Sequence, residues 1–468
     1  MNIEQIHAAA ESECSCLADE SCCRIYVASS ANDSRADRIR LLFEESIEKT
    51  GFRAETIRAG SFGYYALEPI VVIHGPKLPA ALYPNVDPDK ASDLIQNSLL
   101  TGAPGTAALC RFGEAENSSI PHFSNIPLFN LQRRVALRNC GWIDPGNIHH
   151  YMVRAGGYRG LARALSTDPQ KPMGPLLDKL LKSRRRVGDS SAAGWRRCAE
   201  SKEQEKCLIC SAMDADPASI SSRLLLESDP HSVLEGMLIG AHAIGASRCI
   251  LYLKEDASAA AKLRTALGQM HKYNLLGSHI LDSDFSLEIE IQEVPESCAI
   301  GYWVETFRCL EENQPPPRMI PEFPGADRLR EGAVAVTSPE ILADLAAVLI
   351  EGEDNEEIAE SKIVTLSGGA INKFTVEVAL GAAIRDLADG IGAGCSGERP
   401  IKTALLGGPS GLFFASNSFS ARLSAAGEEE SRSGIGFDTI EILDAGASVL
   451  DAVKVIFEHI QAHSCGKC

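Results

Sequence analysis

Hydrophobic positions fall into short blocks of changing period, and those changes predict the elements. Arg24 to Ser30 (RIYVASS) is a short apolar run and predicts a strand. Between Arg35 and Thr50, Ile39, Leu42 and Ile47 recur at helical spacing. Glu68 to Gly75 (EPIVVIHG) is β-branched, closed by glycine, and predicts a buried strand. Strand, helix and strand in such close succession predict a small α/β unit. Residues 1–22 are polar and cysteine-rich and read as a loose tail. Residues 103–127, rich in Gly, Ser, Asn and Pro, read as a linker. Asp144-Pro145 predicts a helix start, because Asp can cap and Pro fits the first turn. That helix runs to about Arg154 and breaks at Gly156-Gly157.

Beyond Leu176, helical and strand patterns alternate to about Gly352. ILYLKED (250–256) and LEIEIQEV (287–294) predict strands, with a helix over 257–272 between them. Proline stiffens an extended loop over 313–324. Residues 361–406 read strand, turn, strand, helix, which fits a compact ubiquitin-like roll, and GGPSG (407–411) is a tight turn. An acidic, glycine-bearing loop over 427–436 precedes a short strand at 440–443. Ser448 to His463 is amphipathic, with Leu450, Val453, Ile456, Phe457 and Ile460 on one face. The fold class is thus α/β multidomain. The chain divides into a tail (1–22), a first α/β unit (23–110), a linker and helix (111–170), a layered α/β domain (171–355), the roll (356–445) and a terminal helix with a cysteine pair (446–468).

Composition narrows the function. A chain of 468 residues makes roughly three or four domains. A net charge of -18 argues against non-specific nucleic-acid or anionic-membrane binding, which needs a cationic face. The basic run at Lys182 to Arg186 is too short to reverse that balance. With no bilayer-length apolar stretch and no secretory signal at the start, the expectation is a cytoplasmic protein, or one peripheral to a membrane complex. Fifteen cysteines scattered through so large a chain do not make a secreted scaffold. They read as free thiols or metal ligands. Cys14, Cys16, Cys22 and Cys23 read as free thiols, because CxC and CC spacings match no standard zinc pattern.

Five strings in order resemble one family, the NADH-oxidising flavoprotein subunits of complex I and of NADH-linked hydrogenases. They are ALRNCGWIDPGNIHHYMVRAGGY (136–158), RLLLESDPHSVLEGMLIGAHAIGA (223–246), YNLLGSHILDSDFSLEIEI (273–291), the roll with GGPSG, and HSCGKC (463–468). The resemblance implies a thioredoxin-like front domain with a 2Fe–2S cluster, an FMN and NADH domain, a ubiquitin-like SLBB-type roll, and the start of a helical bundle with a 4Fe–4S cluster.

Each implied site can be set against its residues. The family's glycine-rich flavin loop becomes KSRRRVGDSSAAGW (182–195), keeping Arg184, Gly188 and Trp195. Ser183, Arg185, Arg186 and Ala192 replace glycines that let backbone approach phosphate, and Asp189 replaces a stacking Phe. In CSAMDADP (210–217), Asp214 and Asp216 stand for longer acids. Glu305 and Thr306 persist in CAIGYWVET (298–306), whereas Thr337 and Ser338 replace paired asparagines. Ala28, Asp33, Ser61 and Tyr65 occupy the four 2Fe–2S cysteine positions. Cys465 and Cys468 open a 4Fe–4S motif and provide two of its four thiolates. Cys207 and Cys210 read as buried strand cysteines.

The remnant cofactor-binding positions are therefore Arg184, Gly188, Asp214, Asp216 and Glu305, with Cys465 and Cys468 as partial metal ligands. Drift in four flavin-lining segments leads to the expectation of no bound cofactor. If any is held, it is FMN, NADH and a 4Fe–4S cluster completed elsewhere. The first reading is a structural subunit of an NADH-dehydrogenase-type complex, inactive alone. It would sit in a hetero-oligomer beside a thioredoxin-like iron–sulfur subunit and a larger iron–sulfur or hydrogenase subunit. Two alternatives are an active NADH:acceptor oxidoreductase subunit with a modified FMN site, and an anion- or nucleotide-binding module using Arg184 to Arg186.

Overall fold

The structure is a computed structural model. It describes residues 2–76, 79–99, 107–113, 119–166, 195–196, 198–203, 205–214, 216, 218–255, 257–294, 333–351, 361–395, 397, 399–423 and 438–463. Three sheets organise these residues into a mixed α/β architecture.

The first sheet has order β2-β1-β3-β4-β5. Its strands are β1 (Cys23–Ala28), β2 (Ala54–Ala59), β3 (Ile70–His74), β4 (Ala80–Tyr83) and β5 (Cys110–Phe112). Helix α3 (Ser34–Thr50) crosses over between the parallel strands β1 and β2. Asp33 caps it by accepting from the Arg35 amide, and Gly51 ends it in the left-handed region at φ 66. Both faces of β1 are buried. Ile25 and Val27 pack with Ile39 and Phe43 of α3, while Tyr26 and Ala28 face a second core containing Phe62 and Trp142. Strands β2 and β4 were not anticipated, and β5 lies inside the segment read as a linker.

Residues 1–22 are not a loose tail. Helix α1 (Ile3–Glu13) starts with a reciprocal cap between Asn2 and Gln5 and buries Ile6 and Ala10 completely. It packs on α6 (Ile148–Ala155), and His7 Nε2 donates to the Gly157 carbonyl at 2.9 Å. A four-residue helix α2 (Ser15–Ala18) follows, and two further short helices, α4 (Pro88–Leu94) and α5 (Pro127–Asn130), lie between α3 and α6. The polar surface of α1 concealed its narrow apolar stripe. Helix α6 starts later than predicted, at Ile148, because Asp144 turns back to accept from the Gly146 amide and Asn147 takes the cap. Its end at Gly156, φ 65, lies where the glycine pair predicted a break.

The other two sheets meet beside this unit. One is all parallel, order β8-β7-β6-β9, from β6 (Lys206–Ser211), β7 (Arg248–Lys254), β8 (Ile289–Val294) and β9 (Ala333–Thr337). Covering it are α7 (Arg159–Ser166), α8 (Ser221–Ser228), α9 (Pro230–Ile244), α10 (Ala257–Lys272) and α11 (Pro339–Glu351). Helix α9 is apolar almost all round and buried almost throughout, as a central helix should be. At Gly236 an added Cβ would lie 2.1 Å from the Leu342 carbonyl, so glycine allows α9 and α11 to touch.

The last sheet has order β11-β10-β14-β12-β13, from β10 (Ser361–Gly368), β11 (Thr375–Ala379), β12 (Ile401–Leu406), β13 (Leu412–Ala415) and β14 (Thr439–Asp444). Where a helix was expected after β11, the chain makes a short π-type turn over Asp386–Ile391. Helix α12 (Val449–His463) leaves Leu450 at 81% exposure and Phe457 at 64%. The predicted loops at 313–324 and 427–436 lie outside the described residues.

Candidate functional site

In an open parallel sheet, ligands bind beyond the carboxyl ends of the strands, where the strand order reverses. Here that point falls between β6 and β9, since β7 leaves β6 on the other side. Register places Cys210 of β6 beside Thr337, the last residue of β9. Thr337 is 3% exposed. Neither its hydroxyl nor that of Ser338 has a hydrogen-bond partner among the described residues. A buried hydroxyl without a partner costs about 1–3 kcal/mol. Two such groups side by side at the switch point suit a ligand with a polar edge.

Asp214 and Asp216 follow β6, and the structure separates their roles. Asp214 is half-buried and accepts from the Ser222 hydroxyl at 2.8 Å. Burial, reinforced by the nearby Asp438 charge, pushes its carboxyl up to about 8, against the lowering pull of Ser222. Asp216 turns toward the roll. It accepts hydrogen bonds from Thr439 at the start of β14 and from the Ala218 amide at 3.0 Å. Gly408, φ 59, lies against it. An added Cβ there would stand 2.3 Å from the Asp216 carboxyl carbon. Burial raises the carboxyls of both Asp216 and Glu441. Lys362 pairs with Asp438 at 2.8 Å. Asp216 thus binds the parallel sheet to the roll.

Arg184, Gly188, Glu305, Cys465 and Cys468 lie outside the described residues. Trp195 is described and is a core residue. It is 1% exposed, and an added Cβ on Gly240 of α9 would lie 2.7 Å from its ring. Cys207 and Cys210 are buried on β6, and burial pushes the Cys207 thiol up to about 12.

The four positions matched to cluster cysteines have other contacts. Ala28 ends β1 in the core, and Asp33 caps α3 and pairs with Arg35 at 2.8 Å. Ser61 donates to Glu68 and accepts from the Gly63 amide at 2.9 Å. Burial pushes the Tyr65 phenol up. None of these side chains offers the thiolate that a 2Fe–2S cluster needs. The N-terminal cysteines are not all free thiols: Cys16 and Cys22 form a disulfide, while Cys14 and Cys23 are buried and free.

A buried polar network went unrecognised beyond its family string. The Glu235 carboxylate accepts from the Tyr151 hydroxyl at 2.6 Å and from the amides of Tyr158 and Leu161 at 2.8 and 3.0 Å. Tyr158 bonds His231 Nδ1 at 2.7 Å, and Asn139 donates to Asp229 at 2.7 Å. The acids and His231 share one stretch, ESDPHSVLE (227–235). An acid at the cap and another inside an otherwise apolar helix were the available signal.

Known proteins place this geometry. The Nuo51 FMN-binding domain matches residues 188–335. The NADP-reducing hydrogenase subunit HndC of Solidesulfovibrio fructosivorans is 30% identical over 344 residues, covering 72% of this chain and 70% of that protein. An NADH-quinone oxidoreductase subunit of Rhizobium meliloti is 26% identical over 348 residues, covering 71% and 81%. A crystal structure of NAD+-reducing [NiFe]-hydrogenase in the H2-reduced state aligns with a TM-score of 0.53 at 18% identity, covering 99% of this chain and 78% of that one. That likeness speaks to the fold alone. The expectation of no cofactor is corrected by these matches: the matching family model is that of an FMN-binding domain, and the sequence relatives are named as NADH- and NADP-linked redox subunits. Drift in individual lining residues was a poor guide, because backbone and the ends of parallel strands contribute much of such a site. This chain belongs to the family of NADH-oxidising flavoprotein subunits that serve complex I and NAD(P)-linked hydrogenases.

Proposed function

We propose that the chain works as the flavoprotein-type subunit of an NAD(P)H-linked electron-transfer complex, with its flavin at the β6–β9 crest. The carrying observation is the pair of Thr337 and Ser338 hydroxyls at the switch point, neither of which has a hydrogen-bond partner among the described residues. Their donors and lone pairs match the polar edge of an isoalloxazine ring. By the family resemblance, Arg184 and Gly188 would contribute to holding the phosphate, with Glu305 as a further cofactor-binding position. FMN, when bound, supplies hydride and single-electron chemistry that no side chain here performs. The chain's own residues bind and orient it.

The relatives' names place them in multisubunit assemblies. We extend that to this chain: an iron–sulfur partner accepts electrons, because Ala28, Asp33, Ser61 and Tyr65 cannot seat a relay cluster in the first sheet. Cys465 and Cys468 would contribute two thiolates to a cluster completed by other ligands. No helix among the described residues is long and apolar enough to cross a membrane, which suits a peripheral place in such an assembly.

Flavin analysis of the full chain tests this reading. Purified protein should carry FMN, or take it up to about one per chain, with the visible absorbance of a bound flavin. Protein that stays colourless after equilibration with FMN sinks the proposal.

A further inference from the structure

A cavity of about 460 Å³ opens where the first sheet meets α10. It lies beyond the carboxyl ends of the parallel strands β1 and β2, whose crossover helix is α3. Residues 29–33 line one side, Arg58 and Gly60 a second, Asp144 a third and Lys262 of α10 a fourth. That volume falls in the range of small-molecule sites.

The frame is fixed by contacts that need no ligand. The Gly60 amide donates to the Ile143 carbonyl at 3.1 Å. A Cβ added at Gly60 would lie 2.6 Å from the Ser228 backbone of α8. Lys262 donates to the Glu227 carbonyl at 2.8 Å. These contacts tie β2, the segment before α6, α8 and α10 to one another, so the cavity is held open by the fold.

Some of its charges are matched in place. Arg58 pairs with Asp37 at 3.5 Å, and Asp33 pairs with Arg35 at 2.8 Å. Lys262 is half-buried and makes no ion pair with a described carboxylate. Its bond to the Glu227 carbonyl uses one ammonium hydrogen and leaves two. Burial pulls its pKa down, and the Glu227 charge is the largest influence against that. Arg40 pairs with Glu44 through Nη1, but its Nε is buried with no hydrogen-bond partner among the described residues. Ser29 and Asn32 add a hydroxyl and an amide to the lining. Asp144 accepts from the Gly146 amide through Oδ1 at 2.9 Å, which leaves Oδ2 to accept from a ligand.

We propose that this cavity binds a phosphorylated polyol of ribose 5-phosphate size, its phosphate met by Lys262 and Arg40 and a hydroxyl donating to Asp144. Two ammonium hydrogens and one guanidinium hydrogen match three terminal phosphate oxygens, in charge-assisted bonds. An inorganic anion alone would fill a small part of the volume and leave the Asp144 carboxylate without a donor. A hydroxylated carbon chain supplies that donor. The family resemblance matches Ala28 and Asp33 to cluster cysteines, but the segment between them brings hydroxyl and amide groups to the cavity, which suit a polar organic ligand. A free sugar phosphate and a nucleoside monophosphate both carry the required unit.

Calorimetric titration of the full chain with ribose 5-phosphate, AMP and inorganic phosphate tests this. At least one of the two esters should bind, and more tightly than inorganic phosphate. Tighter binding of AMP assigns a nucleotide, and tighter binding of ribose 5-phosphate assigns a free sugar phosphate. Lys262→Met should weaken ester binding on the order of tenfold, and Arg40→Gln should weaken it in the same direction. Lys49→Met, on an exposed turn of α3, should leave it unchanged. Circular dichroism melts confirm that each variant folds, and Arg40→Gln carries the test if Lys262→Met does not fold. No binding of either ester, inorganic phosphate binding as tightly as both, or ester binding indifferent to the folded variants at Lys262 and Arg40 would each overturn the proposal.

Discussion

Tyr151 donates its hydroxyl hydrogen to Glu235 across 2.6 Å, and neither residue has any exposed surface. The contact ties α6 to α9, and the amides of Tyr158 and Leu161 at the start of α7 converge on the same carboxylate. One acid on the central helix therefore sets the positions of two others. Burial raises its pKa, and the hydrogen bonds it accepts oppose that rise.

Replacing Glu235 with Gln should destabilise the chain by about 1–3 kcal/mol, because the amide nitrogen, whichever way it turns, would face at least one N–H or O–H donor and leave it unpaired. Tyr151→Phe, which removes one donor, should cost about 1–2 kcal/mol. Denaturant midpoints check both. A Gln variant as stable as the parent would show that the carboxylate is dispensable.

Asp214 makes stability depend on pH. Its folded value of about 8 lies above the ordinary value of 3.8, so the folded state binds the extra proton between them. The resulting stabilisation is complete below the lower value and is lost as pH rises through the higher one. Asp216 and Glu441 shift in the same direction. Urea midpoints should therefore fall from pH 5 to pH 8.5, and the fall should be shallower in Asp214→Asn. Equal slopes for the two proteins would refute the assignment.

Gly408→Ala should cost about 1–3 kcal/mol, from a left-handed backbone and from contact with Asp216. Gly381, at φ 92 with open space around it, is the matched control. Gly381→Ala carries the backbone strain alone. Thermal melts should separate the two variants, and equal shifts would mean that the Asp216 contact is soft.

Thr337→Val separates a ligand-directed hydroxyl from a structural one. It removes an unpartnered buried group, so the flavin-free chain should gain up to about 1 kcal/mol. FMN uptake should weaken by roughly tenfold, the loss of about one hydrogen bond. A destabilised flavin-free chain with unchanged uptake would show that the hydroxyl serves the fold.

Local pattern carried much of this protein. The β-branched run at Ile70–His74, the cap at Asp33, the glycine stop at Gly156 and the alternation through the parallel sheet are short-range signals. They were legible because propensity and tertiary packing agree at those residues. The family was legible too, from five strings in order. Helix α1 was not, because its apolar stripe is a few residues in a polar segment and becomes informative only against α6.

The rest was decided in three dimensions. Sequence alone places Asp214 and Asp216 two residues apart with the same chemistry. Only the approach of the roll sends one to Thr439 and Gly408 and leaves the other beside Ser222. Likewise, the resemblance set Thr337 in a flavin-lining segment, but only its register beside Cys210 put it at the reversal of strand order. The pairing of Cys16 with Cys22, among four candidates, needed the turn that brings α2 back to β1. The physical reason is common to all three: residue type sets which bonds a side chain can make, but long-range packing sets which partners come within reach.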